Sequence, residues 1–305
     1  MTAKMVVLGS FNMDLVAFIP RFPRPGELIL GSKYLNTPGG KGSNQAVAAA
    51  RLGADVTYVG RIGADAFGDQ AMEMWEREHI HTRYVVRDRK NATGVSLIYV
   101  AEHGSDNTIA CVPGANMALS RKDVDAAAEA IARADIVLAQ LENPLETTAY
   151  ALRLGRMSGA RTFLNPAPAA PVLADLLASA DYITPNETEL ELLTGGPYTD
   201  AAVAARKLIV DPRQTVIVTL SDKGALVVTR TEATHVPAFR VRVVDSTGAG
   251  DAFSAGLAVA LAEGRETLDA VRFAHATAAL CVMQAGTAQS MPTREALDAF
   301  LEAQR

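Results

Sequence analysis

Along the chain, short runs of β-branched residues alternate with longer stretches whose apolar side chains recur every three or four positions, which predicts a layered α/β fold. Val6-Val7-Leu8, followed by Gly9-Ser10, reads as a buried first strand whose end opens onto small residues. Further strands are predicted over 56–59, 136–141, 161–164, 182–184, 216–220 and 226–229. Helices are predicted over 67–79, 121–133 and 145–157, with Ser120 and Asp123 in capping-box spacing before the second, and a last helix over 294–302. Right-handed crossovers between such units give a mostly parallel central sheet with helices on both faces.

Two segments break this rhythm. In 13–37, the alternation of Leu15, Ala17 and Ile19 is interrupted by Pro20, Pro23, Pro25 and Gly26. In 93–112, Val95, Leu97 and Tyr99 alternate with their neighbours before a loop at 102–107. The two predict one accessory sheet, a β lid carried on a single domain spanning 1–305. A lid of this kind excludes water from a reactive phosphate.

Composition narrows the class. Hydrophobic residues make up 49% and charged residues 21%, so neither a disordered chain nor a membrane protein is indicated. The net charge of -5 argues against a nucleic-acid partner. Asn12 and Asp14 interrupt the apolar start before a signal core or membrane span develops, so a cytoplasmic protein is expected. Cys111 and Cys281 are far apart and show no metal-ligand spacing, and both are expected to be buried, reduced thiols.

Polar residues collect where strands end, the edge at which open α/β sheets bind ligands. Asn12 and Asp14 follow the first strand and suit either an Asx turn or a polyol. Gly39-Gly40-Lys41-Gly42-Ser43-Asn44-Gln45 leads into an alanine-rich helix over 46–52 closed by Gly53. It lacks the spacer and Lys-Ser/Thr pair of a Walker A loop. Alone it reads as a tight loop with a solvated lysine; as a site, it would turn backbone N–H groups and Asn44 toward hydroxyls. Glu142, Asn143, Asn165 and the 219–224 turn follow later strands. Asn186 and Glu189 stand three apart on a first helical turn, spaced to orient water around Mg²⁺. His275, inside an apolar helix, reads as a hydrogen-bonded core residue.

The stretch from Asp245 through Ser246-Thr247-Gly248-Ala249-Gly250 to Asp251 carries the most chemistry. Val241, Val243 and Val244 predict a strand before it, while Phe253, Leu257, Ala260 and Leu261 predict a helix after it, ended by Gly264. Unpaired N–H groups at a helix N-terminus receive anions, and glycines let the anion approach. A carboxylate at Asp251 would repel that anion unless it had a task.

With these motifs in hand, the chain resembles the ribokinase-like (PfkB-type) carbohydrate kinases over nearly its full length. The family's two signatures match 39–68 and 245–256, and Asn165-Pro166-Ala167-Pro168 with Thr184-Pro185-Asn186-Glu187-Thr188-Glu189 narrows the match to the ribokinase branch. The resemblance implies that Asp251 is the catalytic base, with Gly248, Ala249 and Gly250 forming the anion hole. It implies that Asn12, Asp14, Gly40, Lys41, Asn44 and Glu142 hold the sugar. By the same likeness, Asn186, Thr219, Ser221, Gly224, Gly250 and His275 face ATP, and Asn186 and Glu189 serve Mg²⁺ through water. Asp245, Thr247, Cys281, Gln284, Gly286 and Ser290 match a monovalent-cation site, which implies K⁺. A homodimer through the lid is also implied.

The expected reaction is transfer from ATP to the 5-hydroxyl of D-ribose. A kinase for deoxyribose, another sugar or a nucleoside is the alternative. A non-catalytic sugar-binding regulator would have no need of Asp251 behind Gly248-Ala249-Gly250, and a dinucleotide-dependent dehydrogenase would require a GxGxxG after the first strand.

Overall fold

The computed structural model describes residues 2–101, 107–170 and 174–304, so the loop expected at 102–107 falls largely outside the described residues. In chain order the strands are β1 (Lys4–Leu8), β2 (Asn12–Ile19), β3 (Lys33–Gly39), β4 (Asp55–Gly63), β5 (His81–Asp88), β6 (Gly94–Ala101), β7 (Asn107–Val112), β8 (Ile136–Ala139), β9 (Arg161–Leu164), β10 (Tyr182–Ile183), β11 (Thr215–Thr219), β12 (Ala225–Val228) and β13 (Ala233–Val236). The helices are α1 (Lys41–Arg51), α2 (Ala66–Arg77), α3 (Arg121–Ala126), α4 (Ala128–Ala132), α5 (Leu145–Met157), α6 (Ala174–Ala178), α7 (Glu187–Thr194), α8 (Ala201–Arg206), α9 (Ala249–Ala262), α10 (Thr267–Val282) and α11 (Arg294–Ala303).

Nine strands form the main sheet in the order β13-β12-β11-β10-β9-β8-β1-β4-β5. It is parallel from β11 through β5, and β12 and β13 add an antiparallel edge. The two-residue period of a strand divides the core between the sheet's faces. Met5 and Val7 of β1 pack with residues of α1, α2, α9 and α10 on one side. Val6 and Leu8 pack with residues of α3 to α8 on the other. Burial on both faces is why these strands read as continuous apolar runs.

The lid is a second sheet in the order β3-β2-β6-β7. Two antiparallel pairs are joined by parallel pairing of β2 with β6, from Asn12 opposite Gly94 to Ile19 opposite Ala101. Because β2 leaves β1 after only three residues, the lid begins at the sheet edge where ligands bind.

Four expectations need correction. The 241–244 stretch is no strand: Val243 and Val244 are each 59% exposed, and Val244 N–H and Asp245 N–H donate to Val282 O at the end of α10. β-branched residues favour extended backbone, but no strand among the described residues pairs with them. Helix α1 starts at Lys41 rather than 46, because Gly42, Ser43, Asn44 and Gln45 are buried polar positions that leave no apolar periodicity to read. The 121–133 helix breaks at Ala127 into α3 and α4. Cys111 is exposed on β7, while Cys281 is buried as expected. No strand was expected at β5, whose apolar run Tyr84-Val85-Val86 is only three residues long between exposed Arg83 and Arg87. No helix among the described residues is long and apolar enough to cross a membrane.

Candidate active site

The N-termini of α1 and α9 meet above the ends of β1, β8, β9 and β10, and close backbone approach makes this possible. A Cβ on Gly42 would stand 2.2 Å from Gly9 Cα, and one on Gly40 would stand 2.6 Å from Asn12 N. Gly40 also holds φ 87°, a left-handed conformation that favours glycine. These glycines seat α1 tightly against β1 and β2, where the sequence alone read as a tight loop with a solvated lysine. Beneath them, Trp75 Nε1 donates to Ser43 Oγ at 3.0 Å, anchoring α2 to α1.

Asp251 lies buried in the first turn of α9. Its Oδ2 accepts from Asn44 Nδ2 at 2.9 Å and its Oδ1 from Gln45 Nε2 at 2.9 Å. Gln45 Nε2 also donates to Asn165 Oδ1 at 3.0 Å, Gln140 Nε2 donates to Gln45 Oε1, and Asn165 Nδ2 donates to Thr184 O at 3.1 Å. This chain of amides holds the carboxylate in one orientation. Gln45 and Gln140 escaped the sequence reading. Their signal, polar side chains amid alanines and at the end of an apolar strand, was present but ambiguous.

Gly248, at φ 81°, caps α9 and turns the chain into it. Ala249 N–H is engaged by Ser246 O at 3.3 Å, so Gly250 and Asp251 carry the N–H groups that the helix leaves without acceptors. A Cβ on Gly250 would meet nothing within 4 Å. The turn therefore faces open space, a cavity of about 170 Å³ that Lys41, Asn186, Glu189 and Thr219 also line.

On the lid side of Asp251, Glu142 accepts from Ser10 Oγ, from Lys41 N at 2.9 Å and from Asn12 Nδ2 at 3.5 Å. Asn12 Oδ1 is in turn held by Asn116 Nδ2 at 2.9 Å. Asn44 Oδ1 is buried without a partner, an acceptor free for an incoming hydroxyl. Asp14 sits 2.2 Å from where a Cβ of Gly39 would be. Burial, reinforced by the charges of Glu142 and Asp251, raises its pKa to about 6 against a hydrogen bond from Ser96. Burial also opposes the charge on Lys41, but the carboxylates of Asp251, Glu142, Glu189 and Asp14 outweigh it and raise the lysine's pKa.

The expected nucleotide residues divide into two groups. Asn186 and Thr219 adjoin through a bridge between their backbones and line the cavity. Ser221, Gly224 and His275 lie outside its wall. Gly224, φ 109°, lies against Val236, whose carbonyl oxygen would be 2.1 Å from a Cβ there, and the Val236 backbone hydrogen-bonds the His275 ring. Burial lowers the pKa of His275 to about 4, and its Nε2 is buried without a partner.

Asn186 and Glu189 form a capping box for α7. Asn186 Oδ1 accepts from Glu189 N at 2.8 Å, and Glu189 Oε2 accepts from Asn186 N at 2.9 Å. That leaves Glu189 Oε1 for the cavity, and burial raises the group's pKa. No group of three or more His, Cys, Asp or Glu side chains among the described residues could hold a metal ion. One carboxylate beside bound phosphates does suit Mg²⁺, which keeps several waters.

Behind the Gly248–Asp251 turn, Asp245 Oδ1 accepts from Thr247 N at 2.9 Å and Thr247 Oγ1 at 2.7 Å, and Oδ2 from Gly286 N at 3.0 Å. Burial works against its charge, but these bonds hold its pKa below the usual value. Ser290 Oγ donates to Gly286 O at 2.8 Å and contacts Cys281 Sγ at 3.2 Å. Asp245, Thr247, Cys281, Gly286 and Ser290 are thus together. Gln284 joins them through its backbone N–H, which donates to Cys281 O at 3.2 Å. Clustered carbonyl and carboxylate oxygens are hard donors suited to an alkali cation.

A fixed carboxylate beside unpaired helix N–H groups, in a polar cavity at the sheet edge, suits phosphoryl transfer to an alcohol. Residues 2–294 match the pfkB family carbohydrate kinases, and the chain belongs to that family. It is 40% identical over 305 residues to a ribokinase of Haemophilus influenzae, covering 99% of both chains. It is 38% identical to a deoxyribokinase of Salmonella typhimurium, covering 97% of this chain and 98% of that one. The structure of Arabidopsis thaliana ribokinase complexed with ribose and ATP superimposes with a TM-score of 0.91 at 34% identity, covering 99% of each chain.

Proposed function

We propose that this carbohydrate kinase transfers the γ-phosphoryl group of ATP to the 5-hydroxyl of D-ribose, with Asp251 as the base. The observation that carries this reading is the buried Asp251 carboxylate, fixed by Asn44 and Gln45 at the N-terminus of α9. A hydroxyl lying against it loses its proton as the oxygen attacks in line. Gly250 N–H and Asp251 N–H, with the positive end of the helix, stabilise charge on the transferring group, and Lys41 adds a full positive charge within the same cavity. Asn12, Asp14, Gly40, Asn44 and Glu142 hold the sugar's remaining hydroxyls.

Asn186, Thr219, Ser221, Gly224 and His275 line the path of the nucleotide away from the cradle. Asn186 and Glu189 would orient the hydration shell of Mg²⁺, which when bound neutralises phosphate charge. K⁺ held by the Asp245, Thr247, Cys281, Gln284, Gly286 and Ser290 group would fix the shape of the anion hole. The chain works as one domain, its second sheet closing over the sugar. Exposed Leu35 and Ile109 on that sheet give it apolar surface that a second copy would cover, making a homodimer. A reaction that consumes ATP belongs in the cytoplasm.

The 38% identity to a deoxyribokinase keeps 2-deoxyribose as a second acceptor to weigh. The test is ADP release with ribose, 2-deoxyribose, fructose, adenosine and pseudouridine, with and without K⁺. Ribose is expected to give the highest kcat/KM, and K⁺ to raise it. Absence of ribose-dependent turnover would overturn the reading.

A further inference from the structure

The lid joins the rest of the chain through 9–11, 40, 89–93 and 113–120, and the last two segments are the legs of the hairpin β6–β7. These legs are tied to each other: Ala115 N donates to Ala92 O at 2.8 Å, and a Cβ on Gly114, whose φ is 51°, would stand 2.3 Å from that oxygen. Both are also gripped by one side chain outside the site, that of Arg61 near the end of β4. Arg61 Nε lies 2.9 Å from Asp88 Oδ2 in an ion pair, and Asp88 Oδ1 accepts from Lys90 N at 2.7 Å and Asn91 N at 3.1 Å in the first leg. Arg61 Nη1 donates to Ala118 O at 2.8 Å in the second leg and to Asp123 Oδ2 at 3.1 Å just beyond it. The second leg also carries the buried Asn116, which accepts from Phe11 N at 3.0 Å and donates to Phe11 O at 2.9 Å. Through Asn116 the leg holds the corner where β2 leaves β1, so one grip reaches both halves of the lid.

We propose that Arg61 is the positioning residue of the lid hinge: it clamps both legs of β6–β7 to β4, makes the lid swing as one body, and so sets how readily the lid closes. This rests on the reading above that the second sheet closes over the sugar. A sheet hung on separately mobile legs can splay, and closing it must first order them, which weakens apparent binding of the sugar. A guanidinium suits the clamp because its planar fork meets partners in two directions at once and stays charged, whereas an ammonium is a point charge on a flexible stem. The side chains of Arg61, Asp88 and Asp123 are only 23%, 6% and 11% exposed, so losing the cation leaves two shielded carboxylates without their counter-charge. Arg156 makes the same kind of contact away from the lid, pairing with Asp181 and Asp211 and donating to Ala178 O where β10 begins. It provides an internal control for loss of a guanidinium as such.

The test is backbone hydrogen exchange by mass spectrometry, with and without ribose, beside steady-state kinetics, for the wild type, Arg61→Lys, Asp123→Asn and Arg156→Lys. Arg61→Lys should speed exchange in β6 and β7 at least about tenfold while leaving β1, β8 and β9 as they are. It should also raise KM for ribose about tenfold, with kcat changed less than about threefold. Asp123→Asn, whose amide oxygen can still accept from Ser120 N, should move exchange and KM the same way by less. Arg156→Lys should alter neither lid exchange nor KM. Exchange accelerated throughout the main sheet in Arg61→Lys, an unaltered KM, or an equal effect from Arg156→Lys would overturn the inference. Wild-type lid amides that ribose does not protect would overturn the closure reading with it, whereas protection that Arg61→Lys leaves intact would overturn this inference alone.

Discussion

Gln45 Nε2 lies 2.9 Å from Asp251 Oδ1, and the same nitrogen lies 3.0 Å from Asn165 Oδ1, so the side chain next to Asn44 ties Asp251, the proposed base, to the end of β9. A carboxylate that accepts a proton in the transition state must already point at the hydroxyl, since misdirection by even an ångström is costly. Gln45→Ala should therefore reduce kcat by about 10- to 100-fold with a smaller effect on KM for ATP, measured by coupled ADP release. An unchanged kcat would mean that Asn44 suffices to hold Asp251.

Asp14 titrates in the working range. Its pKa is raised from 3.8 to about 6, so it is protonated below that pH and loses acceptor strength toward sugar hydroxyls. Ribose kcat/KM should fall as pH drops through about 6, and Asp14→Asn should remove that limb along with most of the affinity for ribose. The stability sign is the reverse. The folded state binds this proton more tightly than the unfolded chain, so Asp14 costs stability progressively as pH rises from about 4 to 6 and remains a burden above it. Asp14→Asn should unfold at higher temperature than wild type at pH 7, by up to about 3 kcal/mol of stability.

His275 is held neutral, with a pKa near 4 set mainly by burial. The affinity for ADP, followed by calorimetry between pH 5.5 and 8, should show no inflection that His275→Gln removes. Such an inflection would mean that nucleotide binding draws the imidazole back to a protonated state.

Asp245 braces the turn before α9 with two hydrogen bonds from Thr247 and ties it to the Gly286 loop with one from Gly286 N–H. Asp245→Ala should lower kcat about tenfold or more, as the cradle loosens, and abolish any stimulation by K⁺ over Na⁺. Retained K⁺ stimulation in that variant would place the cation elsewhere.

Gly42→Ala tests the packing of α1. The added Cβ would stand 2.2 Å from Gly9 Cα and 2.6 Å from Ser10 N, both backbone atoms that have no flexible end to move away. A loss of roughly 1–3 kcal/mol in chemical denaturation is expected, with activity falling further because α1 carries Asn44 and Gln45. A variant as stable as wild type would mean that the helix shifts without cost.

The parts of this architecture that rest on local pattern could be read from the sequence. The parallel strands and their helices announce themselves by apolar period, the lid by alternation broken with proline and glycine, and Asp251 by its place behind two glycines at a helix start. The Gln45–Gln140–Asn165 network could not be read, because its members lie 95 and 120 positions apart and nothing local distinguishes an amide that meets Asp251 from one that meets water. The 241–244 stretch misled for the opposite reason: its local preference for extended backbone was real, but a strand also needs a neighbour.

The measurement closest to the central claim is single-turnover phosphoryl transfer from ATP to ribose by the wild type and Asp251→Asn, with ADP binding measured alongside. The wild type is expected to yield ribose 5-phosphate, and the variant, which keeps the side chain's size and planar shape but cannot take the proton, to bind ADP normally and turn over about 10² to 10⁴ times more slowly. Transfer at an undiminished rate by Asp251→Asn would contradict the account.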